Sequence, residues 1–168
     1  MKRSFTVTEL LVAIAIVVIL AGILIGGIGY AGRRADEART IAAIQTLTAA
    51  LDAYRAEKGF FPPCTSAQDV KFYRKSGDLT LVLNNQEYKF VNQQGRPFLE
   101  LNTLSSAATE KSKAETFKDA WGNALRYQCP GTNNKGAFDL YSKGPDGKES
   151  NDDEKLDNIA NWVNASQQ

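Results

Sequence analysis

The sequence predicts an α+β protein in which one long N-terminal helix packs on a small antiparallel sheet. Three features of the 168-residue chain carry that expectation. An almost uninterrupted apolar run extends from Phe5 to Tyr30, and a stripe of apolar residues at helical spacing continues to Tyr54. After Pro62-Pro63 the texture changes to short strands separated by Asn, Gly and Pro. The length fits one modest globular domain and one anchoring helix, and is too short for two full domains.

The apolar run covers 26 residues, and a bilayer core needs about 20 in a helix. Lys2 and Arg3 ahead of it hold that end in the cytoplasm under the positive-inside rule. Arg33 and Arg34 at the far end oppose this, but Asp36 and Glu37 follow at once. A cleaved secretory signal has an apolar region of only about 7–15 residues, so this run is too long for one. A plain membrane anchor accounts for the hydropathy and leaves Glu9 unexplained. A carboxylate inside an apolar span is costly unless paired, and marks function by default. No basic residue of the run lies beyond Arg3. The partner of Glu9 must come from elsewhere, and another copy of the chain is the simplest supply.

Helical spacing persists beyond the run in Ala38, Ile41, Ile44, Leu47, Leu51 and Tyr54, with Arg39, Gln45, Asp52 and Arg55 between them. Gly59 and then Pro62-Pro63 stop the helix. Continuous from Phe5 to Lys58, it would be on the order of 80 Å long at 1.5 Å per residue. Gly22, Gly26, Gly27 and Gly29 either loosen its middle, at about 1 kcal/mol each, or allow helices to pack closely in the membrane. Downstream, Thr80–Leu83 and Glu87–Val91 read as strands around Asn84-Asn85. Residues 124–129 and 137–142 read as a hairpin around PGTNNKG, and Ser105–Lys113 as a short helix.

Composition narrows the function classes. Lys plus Arg number 20 and Asp plus Glu 19, so no electrostatic footprint for nucleic acid stands out. The chain has no His, which removes the commonest general base and the commonest zinc ligand together. The usual catalytic triads are unavailable and nothing frames a substrate cleft, so an enzyme is not expected. Cys64 and Cys129 are too few for a cysteine-rich zinc site, and they are expected to pair as one disulfide in an oxidising compartment. Residues 143–157 hold six carboxylates. These residues suit either a solvated acidic loop or a calcium site, since hard oxygen ligands and Gly turns serve calcium. The spacing is not that of an EF-hand.

Ser4-Phe5-Thr6-Val7-Thr8-Glu9-Leu10-Leu11 resembles the prepilin peptidase motif of type IV pilins and pseudopilins. The resemblance implies a leader of residues 1–4, cut between Ser4 and Phe5, with Ser4 standing where the family usually has Gly. Glu9 becomes the fifth mature residue, and its carboxylate can pair with the α-ammonium of Phe5 on a neighbouring subunit. Residues 5–30 are then the transmembrane and filament-core half of the helix, and 31–168 a periplasmic pilin-like domain.

The far end is equally specific. Asp119-Ala120-Trp121-Gly122-Asn123, Tyr127, Pro130-Gly131, the run Phe138 to Gly147, and Ile159-Ala160-Asn161-Trp162 resemble the C-terminal signature of the major (G-type) pseudopilins of type II secretion. That likeness implies a C-terminal calcium-binding loop. Asp146 would be one side-chain ligand, joined by backbone carbonyls such as that of Lys143. The second would be Asp153, by spacing, or Asp157, by nearness to the Ile-Ala-Asn-Trp ending. Glu149-Ser150-Asn151 replaces the family's second Gly-rich turn. The stretch Phe72–Glu110 is longer than the family norm and is read only as strands.

The implied function is that of a structural subunit. It would polymerise through its N-terminal helix into a periplasmic pseudopilus driving protein export, with a single pass through the inner membrane. The implied partners are copies of itself, minor pseudopilins, an inner-membrane assembly platform and the prepilin peptidase. The alternative is a type IV pilin of a surface fibre for adhesion, motility or DNA uptake. The calcium-loop signature favours the pseudopilin.

Overall fold

The computed structural model describes residues 6–101, 109–148 and 158–162, with the backbone alone for 23–29. The chain divides into two compact units, one ending at Asp36 and one beginning at Glu37. Helix α1 (Val7–Lys58) contributes to both and runs unbroken through the glycines of its middle.

In the first unit α1 begins at a capping box. The Thr6 hydroxyl accepts from Glu9 N at 3.3 Å, and Glu9 Oε2 accepts from Thr6 N at 2.9 Å. Two N–H groups with no partner inside the helix are satisfied in this way. Every large apolar side chain from Val7 to Leu20 is between 52% and 77% exposed.

In the second unit α1 lays Thr40, Ile44, Leu47, Leu51 and Tyr54 against the rest of the domain, all of them buried. The buried stripe therefore differs at its start from the one expected. Ala38 is exposed and Ile41 is 43% exposed, and the polar Thr40 takes the inward position. Gly59, at φ +86°, turns the chain out of the helix, and its N–H bonds Arg55 O at 2.7 Å.

The expected single small sheet is two four-stranded antiparallel sheets. One has the order β1 (Cys64–Asp69), β6 (Arg126–Cys129), β7 (Asp139–Ser142), β8 (Ile159–Ala160). The other has the order β4 (Gln86–Lys89), β3 (Asp78–Leu83), β2 (Lys71–Lys75), β5 (Glu115–Thr116). The hairpin around 130–136 forms as expected between β6 and β7. Asn84 and Asn85 take φ +46° and +61° in the two-residue turn between β3 and β4. Paired left-handed residues match the twist of the flanking strands. Of the helix expected over Ser105–Lys113, Lys111–Lys113 is one 3-10 turn and Thr109-Glu110 is not helical; 105–108 lie outside the described residues.

A single core joins the helix stripe to both sheets. Tyr54 stacks on Phe90 at 5.4 Å, Phe72 meets Phe90 edge-on at 5.5 Å, and Phe61 meets Phe138 at 4.8 Å. Such pairs add to plain area burial. β3 is buried on both faces, with Leu79, Leu81 and Leu83 in the main core and Val82 beside Tyr73 in a smaller cluster.

Candidate functional site

Two regions combine exposure with chemistry: the start of α1, and the loop that leaves β7. At the first, Thr8, Glu9, Val12, Ala13 and Ile16 line a shallow open groove. Both hydrogen bonds from Thr6 to Glu9 fall on Oε2, and a carboxylate has acceptor capacity for more donors than that. Ser4 and Phe5 lie outside the described residues. Among the described residues no helical stretch is long and apolar enough to cross a membrane. The side chains of 23–29, which extend the apolar run in the sequence, lie outside that set.

The loop after β7 is buttressed from below. Asp119, 8% exposed, accepts from Trp121 N at 3.0 Å and Asn123 N at 2.8 Å on Oδ1. Its Oδ2 accepts from the buried Ser142 hydroxyl at 2.6 Å. The Ser142 oxygen in turn accepts from Gly144 N at 3.0 Å, and Asn123 Nδ2 donates to Gly144 O at 2.8 Å. Thr40 of α1 completes the frame by accepting from Ala120 N at 3.2 Å. The Asp-Ala-Trp-Gly-Asn run is thus a buckle that fixes where the loop begins.

The other end is fastened by Asn161. Its Oδ1 accepts from Leu140 N at 2.9 Å, its Nδ2 donates to Phe138 O at 3.0 Å, and its N–H bonds Leu140 O at 2.9 Å. Behind it the buried Asp139 accepts from Asn133 N and Asn134 N, both at 2.8 Å, and so shapes the β6–β7 turn.

Between the clasps, Gly144 and Gly147 take φ +69° and +67°, the left-handed conformation that bends a chain around a centre. Asp146 Oδ1 accepts from Lys148 N at 2.9 Å. A carboxylate on a glycine-bent turn is the kind of residue chemistry from which hard-oxygen cation sites are built. Of the four residues expected to bind calcium, Lys143 and Asp146 lie in this turn, while Asp153 and Asp157 lie outside the described residues. Among the described residues no three metal-binding side chains come together.

Sequence reasoning missed Thr40, Asp119, Asp139, Ser142 and Asn161 as the framework. All but Thr40 stood inside the C-terminal signature, but nothing in composition distinguishes a buried acceptor from a surface one.

Comparison with known proteins decides the family. A family model described as type II secretion system (T2SS), protein G matches residues 83–162. The type II secretion system core protein G of Pseudomonas aeruginosa is 31% identical over 166 residues, covering 97% of this chain and 96% of its own. Proteins of the same name from Escherichia coli K12 and Vibrio cholerae are each 28% identical, covering 96% of this chain and 91% and 92% of theirs. The chain belongs to the core protein G family. It is a G-type pseudopilin, a structural subunit of the type II secretion system, and the surface-pilin alternative falls away.

In this pseudopilin the matched stretch contains both clasps, Asp119–Ser142 and Asn161, together with Asp146. Strands β1 and β2 precede it. So does Cys64, which is the register partner of Cys129 across β1 and β6. Both thiols are free in this structure.

Proposed function

We propose that the pseudopilin is cut between Ser4 and Phe5 by a prepilin peptidase, crosses the inner membrane once through residues 5–30, and polymerises through that helix in the periplasm. The observation that carries this reading is the exposed apolar surface of α1 from Val7 to Leu20, with Glu9 its one carboxylate. A helix apolar on all sides belongs in lipid or against its own copies. The proposed polymerisation contact joins Glu9 to the α-ammonium of a neighbour's Phe5. Both charges are then compensated and the axial offset between subunits is fixed. Thr6 already orients Oε2, which leaves acceptor capacity on the carboxylate for the incoming ammonium.

The loop after β7 is proposed to hold calcium through Asp146, a second carboxylate from Asp153 or Asp157, and backbone carbonyls including that of Lys143. The bound ion supplies positive charge that offsets the clustered carboxylates. The Asp119 buckle and Asn161 position the two ends of the loop, and Gly144 and Gly147 supply the bends. Minor pseudopilins and an inner-membrane assembly platform are the further partners of this reading.

The test is Glu9→Ala in cells carrying the secretion machinery. Removing a charge from an apolar span eases insertion, so membrane-fraction content stays normal while sheared filament yield collapses. Normal filaments from Glu9→Ala overturn the pairing. An intact mass that puts the mature N-terminus anywhere but Phe5 overturns the cut.

A further inference from the structure

Cys64 opens β1 and Cys129 closes β6, and the two are Cα partners in the antiparallel ladder. Facing residues in such a ladder have Cα atoms about 4.5 or 5.5 Å apart, according to their place in the hydrogen-bond pattern. A disulfide accepts Cα separations of about 4.4–6.8 Å. Either ladder position therefore suits a bridge without backbone movement. Directly opposed residues also project from the same face of the sheet. The thiols now point at carbonyls, Cys64 Sγ toward Ser66 O at 3.1 Å and Cys129 Sγ toward Ala137 O at 3.5 Å. Thiols are weak donors, so side-chain rotation gives up little.

The ladder is also thinnest at this end. Register shifts between Cys64 and Gln68, which leaves the Cys64–Cys129 rung isolated from those at Gln68 and Asp69. Upstream stand Pro62 and Pro63, which have no N–H to donate. At the other end of β1 the Arg126 guanidinium holds Asp69 Oδ1 at 2.7 Å and Ala67 O at 2.6 Å. A covalent bond at Cys64 would add to the neutral contacts at the start of the strand, where Gln128 Nε2 donates to Thr65 O at 3.2 Å and the Tyr127 hydroxyl to Pro62 O at 2.8 Å.

We propose that Cys64 and Cys129 form an intramolecular disulfide that locks the start of β1 to β6 and closes one covalent loop around the whole β2–β5 sheet. The oxidant is an external disulfide, from glutathione or a disulfide-donating oxidoreductase. The partly exposed Cys129, as thiolate, attacks it and expels one thiol. Cys64, 3% exposed, then displaces the second. Two S–H bonds and one external S–S bond are lost; the internal S–S bond and two external thiols are gained. Burial pushes both thiols up from their ordinary values, so exchange in the folded chain accelerates as pH rises. The register of β1 against β6 sets this pairing, whatever the protein's assembly.

The test uses the full chain in detergent micelles, incubated with glutathione disulfide at alkaline pH, then denatured and treated with maleimide. No label and a mass lower by two hydrogens than the reduced chain are expected. A non-reduced digest should contain a β1 peptide joined to a β6 peptide. The oxidised chain should melt about 10–15 °C above the reduced one. The Cys64→Ser/Cys129→Ser double variant should melt with the reduced chain in either buffer, which also shows that it folds. Two maleimide labels per chain, cross-linked dimers in place of the internal bridge, or equal melting of oxidised and reduced protein each overturn the proposal.

Discussion

Replacing Asp119 by alanine removes the acceptor on which three donors converge: Trp121 N, Asn123 N and the Ser142 hydroxyl. A buried donor left without a partner costs about 1–3 kcal/mol. The space vacated by the carboxylate admits water, so the low end applies, and three donors give about 3 kcal/mol in all. With an unfolding entropy of about 2.1 cal/mol/K per residue, a domain of about 130 residues then melts about 10 °C lower. Asp119→Asn keeps an oxygen for the two backbone donors and disturbs only the Ser142 contact. Its loss should be about 1 kcal/mol. The assay is urea unfolding of the full chain in detergent, followed by tryptophan fluorescence, with the shift read from the midpoint at constant slope. An Asp119→Ala midpoint indistinguishable from wild type would refute the buckle. So would an Asn variant as damaged as the Ala variant, since the loss would then follow charge and not acceptor geometry.

Excess calcium should raise the melting temperature, because a ligand bound only by the folded state stabilises it by about 2.7 kcal/mol at a hundredfold excess over Kd; Asp146→Ala should abolish that rise. Gly131→Ala would bring a Cβ to 2.4 Å from Asp139 Oδ1 and 2.9 Å from Asn134 O. It should cost about 2 kcal/mol in the same unfolding assay, by the usual cost of overpacking, whereas Gly136→Ala, with open space around it, should cost almost nothing. The Lys75 ammonium at 2.7 Å, joined by the Tyr73 hydroxyl, holds the Glu87 carboxyl below its ordinary value. Its contribution is therefore present above the unfolded-state pKa and is lost as pH falls through the lower folded value. Glu87→Gln should weaken the protein at neutral pH and have progressively less effect as acidification protonates the wild-type carboxyl; unfolding midpoints across an acid pH series check this, and an effect that does not shrink with falling pH would contradict the assignment.

Legibility followed the physical reach of each signal. The buried stripe of α1 from Ile44 to Tyr54 was readable because period 3.6 writes itself into sequence; the place of Thr40 was not, because a hydroxyl is drawn inward there by one backbone N–H. Asn84-Asn85 announced a tight turn by residue type alone. β1 gave no warning, since Cys-Thr-Ser-Ala-Gln-Asp lacks apolar alternation and is held by its neighbour and by Arg126. β8, two residues long, exists only by pairing with β7. At the site, Asp146 and the glycine bends were visible as local chemistry. The buckle was not, because its members are brought together from positions as far apart as Thr40 and Ser142. That Cys64 faces Cys129 is likewise a fact of register, which spacing along the chain does not encode.

Ser142 pairs with Ile159 across β7 and β8. A segment whose two ends are rungs of one ladder is already a closed ring before anything enters it, so the entropy of bringing those ends together is met by folding and not by the guest. An ion settling there would have only the interior to arrange, and its grip would depend on residues it never meets. Loosening Asn161, or pulling on α1 through Thr40, would change the capacity of the ring to hold cargo without touching a ligand. By reciprocity, an occupied ring would stiffen the strands that close it and, through the Asp119 buckle, the part of α1 around Thr40.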